Sequence, residues 1–224
     1  MTLLFSERQA CFVCGKRSNH TIMASSSEFE SPDLDLRPQE TKHDTIAHWI
    51  QRCPFCGYCA SSVSEGPEIA KRMVTSPDYR EQHDDPAYPA LANQFLCWAL
   101  IQTADGDDAD AGSAALHAAW ICDDEQAMAN ADICRRKAIA FFANARAKGQ
   151  KFASDGATEA LLLADLYRRT GQFDQVAAIC EEGLAHHPQD FMQPFFAAQR
   201  QLARNRDRQS HTTDEVLEQP DQQE

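Results

Sequence analysis

Two short segments of the chain repeat one pattern, Cys11-Phe12-Val13-Cys14-Gly15 and Cys53-Pro54-Phe55-Cys56-Gly57. The C-x-x-C-G spacing narrows the local fold sharply. Two residues between thiols let a tight turn aim both sulfurs at one ion at roughly 2.3 Å. Glycine after the second cysteine accepts a positive φ at low steric cost, so the backbone can curl around the sulfurs. Pro54 presets φ within the second turn. Two such knuckles facing each other form a closed four-thiolate site, for which zinc is the default metal, with Cys11, Cys14, Cys53 and Cys56 as the expected ligands. With every coordination position filled by sulfur, the ion activates no water and serves as a staple. The 38 residues between the knuckles exceed the 15–20 typical of compact ribbons, so the intervening segment has to loop out.

The other five cysteines read differently. Cys59 follows the second knuckle and forms a further C-x-x-C with Cys56, but the glycines favour Cys53 and Cys56 as ligands, leaving Cys59 as a neighbouring thiol. Cys97, Cys122, Cys134 and Cys180 stand alone in Ala- and Leu-rich helical stretches, where cysteine behaves as a small core hydrophobe. An odd total of 9 argues against a disulfide framework. The opening Met1-Thr2-Leu3-Leu4-Phe5 reaches Ser6-Glu7-Arg8 too soon for a secretory segment, and the expected compartment is the cytoplasm.

Between the knuckles, Ser31-Pro32-Asp33-Leu34-Asp35-Leu36-Arg37-Pro38 alternates charge with leucine. If extended, it puts Asp33, Asp35 and Arg37 on one face and the leucines on the other. Such a face suits a cation or anion pocket, or an enzyme site with His43 or His48 as base. Equally it suits an Asp–Arg cluster that pins the loop. His20, His43 and His48 lack spacing partners like those of the cysteines. Ile46–Gln51 reads as a strand or a short amphipathic turn leading into the second knuckle.

From Pro67 the composition turns to Ala, Leu and charged residues. Helices are expected over 68–74, 90–103, 113–122, 125–148, 158–169, 173–186 and 191–206, punctuated by Ser76-Pro77 and the prolines at 86 and 89. Asp105-Gly106-Asp107-Asp108-Ala109-Asp110 invites a calcium reading, but the twelfth position from Asp105 is Leu116 rather than a bidentate Glu, which leaves an interhelical turn. Residues 157–190 fit the 34-residue tetratricopeptide frame. Leu163, Ala164 and Tyr167 sit on the first helix, Gly171 ends it, and Val176, Cys180 and Gly183 sit on the second. One such unit cannot bury its own faces, so neighbouring helices must complete it. Residues 207–224 lack an apolar period and read as a disordered acidic tail.

The knuckles, the Ser31–Pro38 run, Trp49–Tyr58 and Leu91–Ala99 together resemble a bacterial family known only as domain of unknown function 2225. The resemblance implies a zinc-binding N-terminal module followed by helices, with no assigned activity, substrate or catalytic residue. The expected fold is mainly α with a small β zinc-ribbon-like module at 1–64, tetratricopeptide-like helical hairpins at 65–206, and the tail at 207–224.

No nucleophile–base motif or phosphate-cradling loop accompanies these features, and glycine numbers only 9 of 224 residues. A formal charge of −13 repels phosphate backbones. Within residues 1–60, six Lys or Arg against seven Asp or Glu leave no basic stripe for nucleic acid. The leading expectation is a non-catalytic zinc-binding interaction or scaffold protein with a protein partner and no membrane contact. The alternatives are a site on Asp33, Asp35 and Arg37, and a thiol or zinc redox sensor using Cys59.

Overall fold

The computed structural model describes residues 3–25, 31–39, 43 and 45–218. It divides into two compact units, one formed by Met1–Glu28 with Thr41–Gln150 and the other by Phe29–Glu40 with Lys151–Glu224. This partition differs from a boundary at residue 64, for a packing reason. Ala60 and Val63, which follow the second knuckle, are completely buried, and helix 90–105 packs on the strand at 59–60. The knuckles and the first helices therefore share one core.

In the first unit, β1 (Leu3–Ala10) and β2 (Arg17–Ser25) form an antiparallel hairpin whose last pair, Ala10↔Arg17, closes on the first knuckle. The two-residue strands β3 (Gln51–Arg52) and β4 (Cys59–Ala60) close the second knuckle in the same way. Ile46–His48 is a 3-10 turn feeding β3, so the stretch read as strand or turn is mostly turn. Five helices follow: α1 (Ala70–Met73), α2 (Pro77–Asp84), α3 (Ala90–Asp105), α4 (Asp108–Asp124) and α5 (Met128–Ala147). Ser76-Pro77 starts a helix rather than a loop. The Ser76 hydroxyl accepts from the Tyr79 N–H, and Pro77 occupies the first turn, where its missing donor costs nothing.

The acidic run 105–110 is a helix stop and restart. Gly106 ends α3 at φ 93, and Asp107 caps α4 by accepting from the Asp110 N–H. Asp108 and Asp110 then lie in the first turn of α4, where the helix dipole favours negative charge. Asp108 meets the Lys148 ammonium at 2.5 Å, and Asp110 accepts from Trp98 and Gln102. Alanines on the buried face of α4 keep its neighbours close. A Cβ on Gly112 would lie 2.4 Å from the Phe142 ring.

In the second unit, α6 (Gly156–Arg169), α7 (Phe173–Ala185) and α8 (Gln193–Arg204) are joined by tight turns, with a 3-10 turn at Asp190–Met192 and a last short helix, α9 (Thr213–Glu218). Asp155 caps α6, and Gly171 leaves it at φ 74. Gly183 lets α7 approach both neighbours, since a Cβ there would lie 2.5 Å from Phe196 and 2.7 Å from Ala160. The unit is locked by Arg168, whose side chain has no solvent exposure. Its guanidinium donates to Asp165, Gln199 and the carbonyls of Asp207 and Gln209.

Those last two bonds correct the reading of residues 207 onward as disordered. The segment is held at 207–209 by Arg168, and it pairs with the Asp-Leu-Asp-Leu run through Leu34 N–H to His211 O and Thr213 N–H to Pro32 O, both 2.9 Å. Val216 on α9 is buried. Residues 219–224 of the expected tail lie outside the described residues.

Candidate metal centre

Each knuckle is built by the same pair of backbone hydrogen bonds. The N–H of the first cysteine donates to the carbonyl five residues on (Cys11 to Lys16, 2.9 Å; Cys53 to Tyr58, 2.8 Å). The N–H of the glycine returns to the first cysteine's carbonyl (Gly15 to Cys11, 2.8 Å; Gly57 to Cys53, 3.0 Å). The closing turn requires positive φ, and Gly15 and Gly57 adopt 71° and 78°. The sequence therefore writes one substructure twice.

Folding brings the two copies face to face. The four sulfur atoms of Cys11, Cys14, Cys53 and Cys56 all lie within 4.8 Å of one another. The cross-knuckle separations Cys11 Sγ–Cys56 Sγ and Cys14 Sγ–Cys53 Sγ are both 3.7 Å. A tetrahedron with metal–sulfur bonds of roughly 2.3 Å has edges of about 3.8 Å, so the quartet has the size of a four-thiolate site and could hold one metal ion. Cys11 and Cys53 are buried, while Cys14 and Cys56 are half-buried.

The electrostatics explain why such a quartet calls for a cation. Burial pushes the Cys11 and Cys56 thiols up, opposed by backbone N–H groups aimed at their sulfurs. At Cys53 burial acts the same way, but the N–H groups of Cys56 and Phe55 and the neighbouring thiols outweigh it and draw it down. One thiolate is favoured, and further ones beside it are not. A bound cation removes that conflict, because coordination deprotonates each thiol outright.

A layer of side chains fixes the second knuckle from behind, and α2 supplies it. The Tyr79 hydroxyl donates to the Gly57 carbonyl at 2.9 Å and accepts from the Cys59 N–H at 3.1 Å. Arg80 donates to the Cys56 carbonyl at 3.1 Å. Completely buried Tyr58 donates to the Glu65 carbonyl at 2.7 Å. On the knuckle tips, Lys16 lies over the Phe55 ring and Lys71 over Phe12, at 5.1 and 4.7 Å. Sequence reasoning did not find α2, because Ser-Pro was read as a break. The capping serine with proline in the first turn was the available signal.

The remaining candidates fall elsewhere. Cys59 is buried behind the quartet, with its thiol on the Gly57 carbonyl at 3.4 Å and Cys97 as a neighbour. Cys122 on α4 and Cys134 on α5 are neighbours as well. These cysteines, and Cys180, are fully buried, although their proximity across elements leaves no trace in local sequence. His20 bonds Ser18, and His43 bonds Asp124 at 2.6 Å. Among the described residues, the ligand atoms grouped closely enough for a metal are the four sulfurs.

The Asp33-Leu34-Asp35-Leu36-Arg37 run is not extended, so its charged groups do not share a strand face. It folds back, with the Leu36 N–H on the Asp33 carbonyl and the Asp33 N–H on the Arg37 carbonyl, and Leu36 takes a φ of 66°. Asp33 accepts from Gln39 at 2.7 Å and Ser210 at 2.8 Å, and burial raises its pKa. Asp35, without solvent exposure, accepts from Arg169 at 3.3 Å. Both carboxylates tie this run to the 207–214 segment and α6.

Compared with known proteins, residues 4–206 match the model of a family described as an uncharacterized protein conserved in bacteria, DUF2225. No curated protein and no solved structure matches the chain. Among the described residues no helix is long and apolar enough to cross a membrane.

Proposed function

Since the chain belongs to DUF2225, a family described only as uncharacterized, we propose that it is a non-catalytic scaffold in which a zinc-stapled module carries helical hairpins that dock a protein partner. The observation that carries this reading is the sulfur quartet. Its edges suit a tetrahedral zinc site, and four thiolates leave no coordination position for water or substrate. Zinc is the metal favoured by an all-sulfur tetrahedral donor set without redox demand. The helices that follow support the docking half. Gly171 at positive φ and Gly183 wedged between Ala160 and Phe196 suit a tetratricopeptide-like hairpin, a unit whose stacked faces receive peptides or helices. Asp33 and Asp35, engaged with Ser210, Gln39 and Arg169, read as a clasp rather than as acid and base.

Native mass spectrometry tests the first half: one zinc per chain is expected, lost in Cys53→Ser. A Cys53→Ser variant that keeps its full metal content removes the staple. A pull-down under zinc-preserving conditions tests the second half, and recovery of no stoichiometric partner counts against docking. One observation favours a second reading. The Cys59 thiol has Cys97 as a neighbour behind the knuckle, which suits a thiol sensor. Zinc retained throughout a mild peroxide titration excludes it.

A further inference from the structure

The register of the β1–β2 hairpin sorts its charges by face. Opposed residues of an antiparallel pair point to one side, and successive residues alternate. The pairs Phe5↔Ile22, Glu7↔His20 and Gln9↔Ser18 therefore share one face, while Leu4↔Met23, Ser6↔Thr21, Arg8↔Asn19 and Ala10↔Arg17 share the other. On the first face Ser18, His20 and Ile22 are half-buried, and burial lowers the His20 pKa. On the second, Leu4, Ser6, Arg8, Arg17, Asn19 and Thr21 are all exposed. The hairpin's single carboxylate, Glu7, lies on the first face and accepts from Gln9 Nε2 at 3.2 Å. The open face is left with cations alone.

Arg8 and Arg17 stand diagonally across that face, a spacing that long side chains span. Neither has an ion-pair partner among the described residues. Lys16, which precedes β2, is a third exposed cation with no carboxylate partner among them. Its ammonium lies 5.1 Å from the centre of the Phe55 ring, and Phe55 is 54% exposed. Like charges gathered at one end of a sheet repel one another, and an arriving anion relieves that repulsion. At the other end Leu4 is 44% exposed and pairs with half-buried Met23. With 8 residues in β1 at about 3.4 Å each, the face is about 27 Å long, basic at the knuckle and apolar at the free end.

We propose that this open face of the hairpin docks a short acidic segment of a protein partner. The partner's carboxylates meet Arg8, Arg17 and Lys16, and an apolar side chain meets Leu4 and Met23. The inference rests on the docking reading of the chain and adds where the partner sits and what it offers. Charge complementarity selects the class. A polyphosphate strand runs on past so short a face into a chain of formal charge −13, and it brings no apolar group for Leu4. A short acidic segment responds mainly to charges within a Debye length of about 8 Å, and on this face those are positive.

The experiment titrates the full chain into a fluorescein-labelled peptide of two leucines followed by four glutamates and reads anisotropy. Binding should weaken as salt rises and disappear when glutamines replace the glutamates. Arg8→Glu with Arg17→Glu should weaken it about 10-fold, and Arg8→Gln with Arg17→Gln by less in the same direction. Lys151→Glu with Arg204→Glu makes the same change in net charge on exposed residues of the second unit and should leave binding unchanged. Circular dichroism checks that each variant folds, and the salt dependence of the unaltered chain needs no variant. Absence of peptide binding at low salt would overturn the proposal, as would equal weakening by the charge-matched pair. Tighter binding of an oligothymidylate, or self-association abolished by Arg8→Glu with Arg17→Glu, would overturn it in favour of nucleic acid or a second copy. A failed titration beside a partner recovered in the pull-down removes this surface and leaves docking standing.

Discussion

Arg168 offers the sharpest test of how the second unit is held together. Arg168→Met keeps most of the side-chain volume and removes the guanidinium. In the native structure that group donates to Asp165 at 2.6 Å, to Gln199 at 3.1 Å, and to the carbonyls of Asp207 and Gln209 at 3.0 and 2.8 Å. The Asp165 side chain is 2% exposed, and without Arg168 it is left with the Gln199 amide at 3.1 Å. Breaking a buried pair from one side strands a charge, at a cost of about 3–5 kcal/mol. Replacing both members, with Arg168→Met and Asp165→Leu together, removes the stranded charge. What remains is an unmatched Gln199 and two carbonyls, at a net cost of roughly 1–3 kcal/mol. Urea unfolding followed by far-ultraviolet circular dichroism reads the difference as a shift in midpoint at constant slope. Proteolysis within residues 207–218 should accelerate in both variants, because the carbonyl anchors are lost in each. A single variant costing under about 1 kcal/mol, or a double variant worse than the single, would refute the buried-charge argument.

Four further outcomes follow from local geometry. His117 is enclosed by Trp49, Phe95 and Trp120, and burial lowers its pKa to about 4 from 6.5. The unfolded chain therefore binds this proton first as pH falls, so stability is full above 6.5 and drops by up to about 3 kcal/mol towards pH 4. His117→Phe should flatten that part of a pH–stability curve. Gly183→Ala should cost about 1–3 kcal/mol by overpacking against Phe196 and Ala160, measured by the same urea titration. Gly15→Ala, which meets no atom but keeps a positive φ, should cost no more than about 1–2 kcal/mol. Leu36 sits at φ 66° and is 44% exposed, so Leu36→Asn should stabilise by up to about 1 kcal/mol, seen as a raised melting temperature.

The cysteine quartet was readable in the chain because its information is local. Cysteine spacing and the following glycine specify the turn, and a repeated turn implies a shared ligand. The helices were readable for the same reason, through apolar period and breakers, though with displaced ends. Ser76-Pro77 shows the limit of that reading, since the same dipeptide signals a break or a capped start depending on what its helix packs against. The Asp33–Arg37 run shows another. Alternation predicts a strand with one charged face, but hydrogen bonds to residues 210–213 fold it back, and Ser210 lies 177 positions from Asp33 in the chain.

Cysteine spacing, glycine placement and helical periodicity by themselves determined that this protein carries two matching cysteine turns ahead of a helical body. These are short-range properties, governed by φ preferences and by side chains a few residues apart. Tertiary structure alone decided that the knuckles share a core with α1–α5 and that Arg168 anchors residues 207–209. It also decided that Cys59 has Cys97 as a neighbour and that the His83 ring lies against Gly57. Each of those depends on which buried surfaces meet, and that is set by the packing of the whole chain rather than by any segment of it.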